Sequence, residues 1–309
     1  MKKKISIVTP TFNEEKNVQA LCSSISLEMK KINYDYEHIV IDNSSTDGTV
    51  DTLKKIANID KNLKIIVNKK NFGHIRSPMH GMFQASGDAI ILMMSDLQDP
   101  ISLINSYITE WEKGYEVVMA QKESTEENKF KHFIKTFFYK FIKKLSEEEL
   151  LINTTGSGLY SKNIIKTIKQ LEDPYPYFRG LISEITNNIK LIKYHQQSRM
   201  FGKSKNNFYT LYDIGILGVI KHSKVLLRIV TFIGFILSFF SILIASIFFI
   251  RKLVNWDSFE LGIAPIIIGL FTLGSVQIMI LGIIGEYVMY LLTHIRKLPL
   301  VVEKERINF

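Results

Sequence analysis

Ser95-Asp96-Leu97-Gln98-Asp99-Pro100 follows directly on the apolar run Ala89-Ile90-Ile91-Leu92-Met93-Met94. That run has the length and composition of a strand buried on both faces, and Pro100 opens a helical pattern as a first-turn proline does. Two carboxylates and an amide therefore sit where a strand ends. In an open α/β sheet, that carboxyl edge is where ligands bind. Hard oxygen donors there suit Mg2+ or Mn2+, with Asp96, Gln98 and Asp99 as the candidate metal ligands, and such an ion in turn holds a diphosphate. The plainer alternative is a strand-to-helix turn in which Asp99 caps the next helix.

Upstream the same arrangement recurs three times. Ile5 to Val8 predicts a strand that runs into Pro10-Thr11-Phe12-Asn13-Glu14-Glu15 and then a helix to about Ile32. His38 to Ile41 predicts a second strand, ending in Asp42-Asn43-Ser44-Ser45-Thr46-Asp47-Gly48-Thr49, which is dense in turn and capping residues. A helix over about Val50 to Ala57 leads to a third strand, Leu63 to Val67, followed by Asn68-Lys69-Lys70-Asn71-Phe72-Gly73 and a helix broken near Pro78. The order β-α-β-α-β-α-β argues for a mostly parallel sheet with right-handed crossovers. Parallel strands point the same way, so Asn13/Glu14, Asp42/Asp47, Lys70/Asn71 and Asp96/Asp99 gather on one edge.

Downstream, Ile101 to Lys113 reads as a helix and Glu116 to Ala120 as a strand. From Phe130 to Leu145, aromatic and aliphatic residues recur at helical spacing between lysines, a pattern that suits either a membrane surface or a core-facing stripe. Phe208 to Val219 is a second amphipathic stretch. Ile229–Ile250 and Leu261–Gly285 carry no charge, and each is long enough for a hydrocarbon layer of ~30 Å at about 1.5 Å per residue. Transmembrane helices are expected over about 229–250 and 261–290. Lys221, Lys224 and Arg228 before them, and Arg296, Lys297, Lys304 and Arg306 after, favour both termini in the cytosol. Small residues such as Gly269 and Gly282 permit close helix packing and leave a homo-oligomer open.

Composition narrows the partners. Of the net charge of +9, residues 1–224 hold about +7, which favours anionic surfaces and substrates. Nucleic acid is disfavoured, because no helix-turn-helix, zinc-finger or RNA-recognition signature is found. Cys22 is the single cysteine, so neither a disulfide framework nor a cysteine-rich metal site exists. Pro10 and Glu14-Glu15 end the first apolar run too early for a cleavable signal.

The chain resembles the family 2 glycosyltransferases, specifically the polyprenyl-phosphate type similar to dolichyl-phosphate mannose synthase and the bactoprenol glucosyltransferases. The resemblance rests on VTPTFNEE from Val8, DNSSTDGT from Asp42, NFG from Asn71, SDLQDP from Ser95, RMFGKSK from Arg199 to Lys205, and the paired C-terminal apolar runs. It implies a GT-A type α/β domain (Rossmann-like, mostly parallel sheet) over 1–205, a juxtamembrane amphipathic helix over 206–224 and a membrane domain over 225–309. The localisation it implies is multi-pass in the cytoplasmic membrane, with the catalytic domain cytosolic. The implied reaction moves a sugar, with inversion, from a nucleotide diphosphate sugar (a UDP- or GDP-sugar) to polyprenyl phosphate, using Mg2+ or Mn2+.

By the same resemblance, Pro10, Phe12, Glu14, Asp42, Asp47 and Lys70 surround the nucleotide. Asp96 and Gln98 take the metal positions, with Asp99 beside them. Arg199, Lys203, Ser204 and Lys205 would close over the phosphates, Asp96, Arg199 and Lys205 being the candidate catalytic residues. Clustered cations are what a diphosphate leaving group requires. Arg179 is a further candidate phosphate contact, with a structural turn as its alternative.

Two departures stand out. Met94 replaces the first Asp of the family's DxDLQ, and Gly156, in what reads as a glycine-rich loop Thr155–Tyr160, replaces the usual candidate catalytic Asp. A phosphate acceptor, largely a dianion at neutral pH with a second pKa near ~6, attacks without a general base. A hydroxyl of a lipid-linked glycan is the alternative acceptor and would need one. A catalytically silent scaffold is the reading from another class.

Overall fold

A computed structural model describes residues 3–123, 154–176, 178–196, 263–295 and 298–309, with scattered positions between 232 and 254. The elements are β1 (Lys4–Thr11), α1 (Glu15–Lys30), β2 (Asp35–Asp42), α2 (Thr49–Ile59), β3 (Leu63–Asn68), α3 (Gly73–Phe83), β4 (Ala89–Leu92) and α4 (Leu103–Glu112). There follow β5 (Val117–Lys122), β6 (Thr154–Ser161), α5 (Lys162–Gln170), α6 (Phe178–Ile185), β7 (Ile189–Tyr194), α7 (Ile263–Ile295) and β8 (Glu303–Ile307).

The strands form one sheet in the order β7-β5-β6-β4-β1-β2-β3-β8. β4, β1, β2 and β3 are mutually parallel, whereas β6 and β8 run against their neighbours. From β1 the chain winds outward through β2 to β3 and then returns to lay β4 on the other side of β1. This reversal is a topological switch point, where the crossovers on the two sides diverge and leave a crevice beyond the strand ends. The loops after β1 and β4 flank it.

Helices cover both faces because the central strands are apolar on both. On one face Ile5, Ile7, Ile91 and Met93 pack with Leu21, Ile25, Ile104 and Tyr107 of α1 and α4, and Val40, Ile65 and Val67 pack with Leu53 and Ala57 of α2. On the other, Val8, Ile41, Ile90 and Leu92 meet Met79 and Met82 of α3, Ile164 and Ile168 of α5 and Ile182 of α6. The four residues of β4 are all buried, as the apolar run predicts.

Several expectations are corrected. α3 is continuous through Pro78, which lies within its first two turns, where a single intrahelical bond is forgone. Thr154–Ser161 is not a glycine-rich loop but β6, inserted antiparallel between β4 and β5. Residues 303–307, grouped by sequence with the C-terminal apolar segment, return to the sheet as β8 against β3.

The largest correction concerns the membrane. α7 is a 33-residue helix with exposed Leu270, Ile278 and Met289. Among the described residues, however, no helix is long and apolar enough to cross a membrane. The two transmembrane helices, the multi-pass localisation and the cytosolic placement of the termini are withdrawn on that finding. The amphipathic stretches 130–145 and 208–219, and most of 229–250, lie outside the described residues.

Candidate active site

The loops beyond β1, β2 and β3 are tied together by side chains that satisfy one another's backbone groups. After β1, Asn13 takes φ 55°, a left-handed conformation that asparagine tolerates. Its backbone N–H donates to Ser45 Oγ (2.8 Å), its side-chain oxygen accepts from the Thr46 N–H (2.8 Å), and the Glu14 N–H donates to Thr49 Oγ1 (2.9 Å). The Glu14 carboxylate accepts from Asn17 Nδ2 at 2.5 Å. Pro10, in register with Ile41, and Phe12 are half-buried beside this turn.

At the end of β2, Asp42 is fully buried and accepts from the Ser45 hydroxyl (2.5 Å) and N–H (2.9 Å). Burial pushes its carboxyl above the usual range, and the Ser45 bonds pull the other way. At Asp47 the balance is reversed. Burial raises it, but bonds from the Thr49 hydroxyl and N–H and the Glu15 N–H outweigh that and hold it below the usual range. Asp47 thus organises the start of α2.

Asn43 was not singled out by sequence, yet it carries the third loop. Its Nδ2 donates to Asn71 Oδ1 (2.9 Å) and the Gly73 carbonyl (3.1 Å), and its Oδ1 accepts from the Phe72 N–H (2.9 Å). The signal was its place directly after Asp42, in a turn rich in side chains that bond to backbone. Lys70 is exposed, its ammonium 5.3 Å from the Phe72 ring centre.

Beyond β4 the two acids separate into different environments. Asp96 and Gln98 are half-buried, with the Gln98 N–H 3.3 Å from Asp96 Oδ1. Between them Leu97 stands at φ 55°, a strained conformation for a residue with no polar side chain to favour it. Asp99 is 4% exposed and accepts from the Tyr194 hydroxyl through Oδ1. Burial pushes its carboxyl up, and bonds from Tyr194 and Ser157 pull it down. Ser157 Oγ also lies 3.2 Å from the Leu92 carbonyl and 3.5 Å from Tyr107 Oη, so its single proton is shared between the Leu92 and Asp99 acceptors. Asp99 is therefore engaged in the wall beneath the turn.

Lys122, which sequence also missed, ends β5 and donates to Gln196 Oε1 at 2.6 Å, its charge reaching Asp99. Gly156 has φ 83°, and no atom of the other described residues beyond its chain neighbours lies within 4 Å of where a Cβ would stand. Arg179 lies in α6, its side chain undescribed; Arg199, Lys203, Ser204 and Lys205 lie outside the described residues.

Among the described residues, no group of three or more His, Cys, Asp and Glu side chains converges as a metal site. Asp96 and Gln98 instead offer two hard oxygens at the switch point. That donor set fits Mg2+ or Mn2+, which take the remainder of their shell from substrate phosphate and water. It does not fit a closed zinc site.

A parallel nucleotide-fold core with an acidic turn at its switch point is the architecture of a GT-A type transferase. Residues 6–169 match the model of glycosyl transferase family 2, and the chain belongs to that family. It is a glycosyltransferase. It is 30% identical over 297 residues to the uncharacterized glycosyltransferase sll0501 of Synechocystis, covering 96% of this chain and 93% of the relative. It is 27% identical over 303 residues to the SfII prophage-derived bactoprenol glucosyl transferase of Shigella flexneri, covering 98% of each. Among solved structures, glucosyl-3-phosphoglycerate synthase from Mycobacterium tuberculosis, in complex with Mn2+, UDP-glucose and phosphoglyceric acid, superposes with a TM-score of 0.52 at 17% identity. The match covers 71% of this chain and 78% of that one, and it supports the fold.

Proposed function

We propose that the chain transfers a sugar from a nucleoside diphosphate sugar, a UDP- or GDP-sugar, to a polyprenyl phosphate with inversion at the anomeric carbon. The observation that carries this reading is the placement of Asp42 and the Asp96–Gln98 turn at the ends of β2 and β4, on either side of the β1 loop. That arrangement supports a nucleoside seated over β1 and β2 with its diphosphate reaching the turn. Full-length similarity to a protein named as a bactoprenol glucosyl transferase supports the acceptor.

In this reading Pro10, Phe12 and Asp42 shape the nucleoside pocket, the turns built by Glu14 and Asp47 hold it in place, and Lys70 flanks it. Asp96 and Gln98 would hold Mg2+ or Mn2+, whose charge offsets that of the departing nucleoside diphosphate. Arg179, Arg199, Lys203, Ser204 and Lys205 are assigned to the phosphates by sequence pattern. The bond from the anomeric carbon to the donor phosphate oxygen breaks as an oxygen of the acceptor phosphate bonds to the opposite face of that carbon. The nucleoside diphosphate leaves with the electron pair. An acceptor dianion carries no proton that must be removed, so Gly156 is compatible with the chemistry.

The test mixes the full chain in detergent with Mn2+ or Mg2+, undecaprenyl phosphate and a panel of UDP- and GDP-sugars, with products read by mass spectrometry. A glycosyl phosphoryl lipid from one donor is expected. No product with any donor, or product from undecaprenol but not from its phosphate, would sink the proposal.

A further inference from the structure

We propose that Tyr194, acting through Asp99, is a positioning residue that holds the Asp96–Gln98 turn in its metal-ready shape. This rests on the reading of Asp96 and Gln98 as the pair that meets the donor's metal-bound diphosphate. The turn needs outside support, because Leu97 at φ 55° is a conformation that persists only where the surroundings over-determine it. Its upstream end is fixed where the Met93 N–H donates to the Val8 carbonyl at 3.0 Å. Its downstream end is Asp99, which accepts the Tyr194 hydroxyl from β7, while Ser157 of β6 donates to the β4 carbonyl of Leu92 beside it. A strand from outside the β1–β4 core thus holds the residue next to Gln98. The Tyr194 ring is 6% exposed and packs in the core, so the hydroxyl is what reaches the turn.

Tyr194→Phe keeps the ring and removes that hydroxyl. The readouts are Mn2+ affinity in the presence of UDP or GDP, whichever the wild-type protein binds, followed by the spin signal of free Mn2+. Nucleotide affinity without metal and the thermal midpoint are measured alongside. We expect Mn2+ affinity to fall about 10-fold, as when partners behind a metal ligand are lost, with metal-free nucleotide affinity unchanged. Asp99→Asn retains an oxygen that accepts from Tyr194 and is expected to stay within about 3-fold of wild type, whereas Asp99→Ala falls with Tyr194→Phe. A Tyr194→Phe protein that binds Mn2+ like wild type, whatever its thermal midpoint, overturns the proposal. Should that variant fail to fold, the Asp99 pair replaces it, and an Asp99→Ala protein that binds Mn2+ as tightly as Asp99→Asn overturns the proposal. Asp96→Asn separates the two levels. If it binds Mn2+ and nucleotide as tightly as wild type, or if the wild type binds neither, the reading of the site fails and takes the proposal with it. If Asp96→Asn is weakened while Tyr194→Phe is not, the positioning role alone is wrong.

Discussion

Gly158 stands where β6 passes close to β5: a Cβ there would lie 2.4 Å from the Val118 carbonyl oxygen. That atom belongs to a strand backbone and cannot swing aside, so Gly158→Ala must push β5 and β6 away from each other. We expect a loss of about 2–3 kcal/mol, as for other overpacked interiors, read by chemical denaturation. Among the described residues Gly156→Ala meets no atom of this kind, and its φ of 83° costs an alanine about 1–2 kcal/mol. A smaller cost at 158 than at 156 would show that the strands separate easily. Residue type alone did not reveal these roles. Asp96 and Asp99 look alike in a DxxD spacing, and only the arrival of Tyr194 from 95 residues away separates a half-open carboxylate from a buried one.

At the scale of the element, the C-terminal strand carries the next prediction. β8 is fastened along its length: Lys54 pairs with Glu305 at 2.7 Å, His80 Nε2 lies 2.5 Å from Glu303, and Asn308 Nδ2 donates to the Ala57 (2.8 Å) and Leu63 (2.9 Å) carbonyls. Ahead of it, Arg76 donates to the Pro299 carbonyl at 2.7 Å while lying between the Phe72 and Tyr175 rings. Asn308→Ala leaves two backbone carbonyls without that donor and is expected to cost about 1–2 kcal/mol in thermal or urea denaturation. Deleting residues 298–309 bares the outer edge of β3, and light scattering is expected to rise well below the unfolding midpoint. A truncated chain that stays monodisperse would count against this role.

Why some elements were legible and others were not follows from where they sit. β1 to β4 are buried on both faces and so must be apolar runs, punctuated by the turn residues that build the site. β8, with the sequence EKERI, lies at the edge and needs no apolar run. β6 was hidden by its glycines, of which Gly158 serves to admit the backbone of β5 rather than to make a turn. Asn43 and Lys122 escaped notice because their importance depends on which loop or strand lies beside them.

For the molecule as a whole, two groups with large shifts that govern acid stability, Glu37 and His38, lie in β2 away from the site. Glu37 is buried among Lys4 (2.9 Å), Lys64 (2.8 Å), Ser6 and Ser86. Burial pushes its carboxyl up, but these partners outweigh that and hold it at about 2, against an ordinary 4.5. Its contribution is therefore complete above pH 4.5 and is lost as pH falls toward 2. His38, buried against Thr9, is held at about 3 against an ordinary 6.5 because burial disfavours the imidazolium. Below pH 6.5 the unfolded chain takes up a proton there that the fold refuses. Both groups act in the same direction. From His38, stability should fall by up to ~1.4 kcal/mol per pH unit below 6.5, and more steeply once Glu37 joins below 4.5. His38→Gln should flatten the upper segment in a pH series of denaturation midpoints and leave the lower one. An unchanged slope between pH 6.5 and 4.5 would contradict the assignment.

The pairing of Ile65 with Ile307 spans about 240 residues of chain. At ordinary translation rates of about 5–20 residues per second, the ribosome works for tens of seconds between making β3 and supplying the strand that covers it. Throughout that interval a nascent chain offers a bare row of amides and carbonyls to any neighbour on the same message. A slow patch of codons in that stretch would lengthen the exposure, so the yield of folded protein should depend on elongation speed there even though the mature sequence is identical.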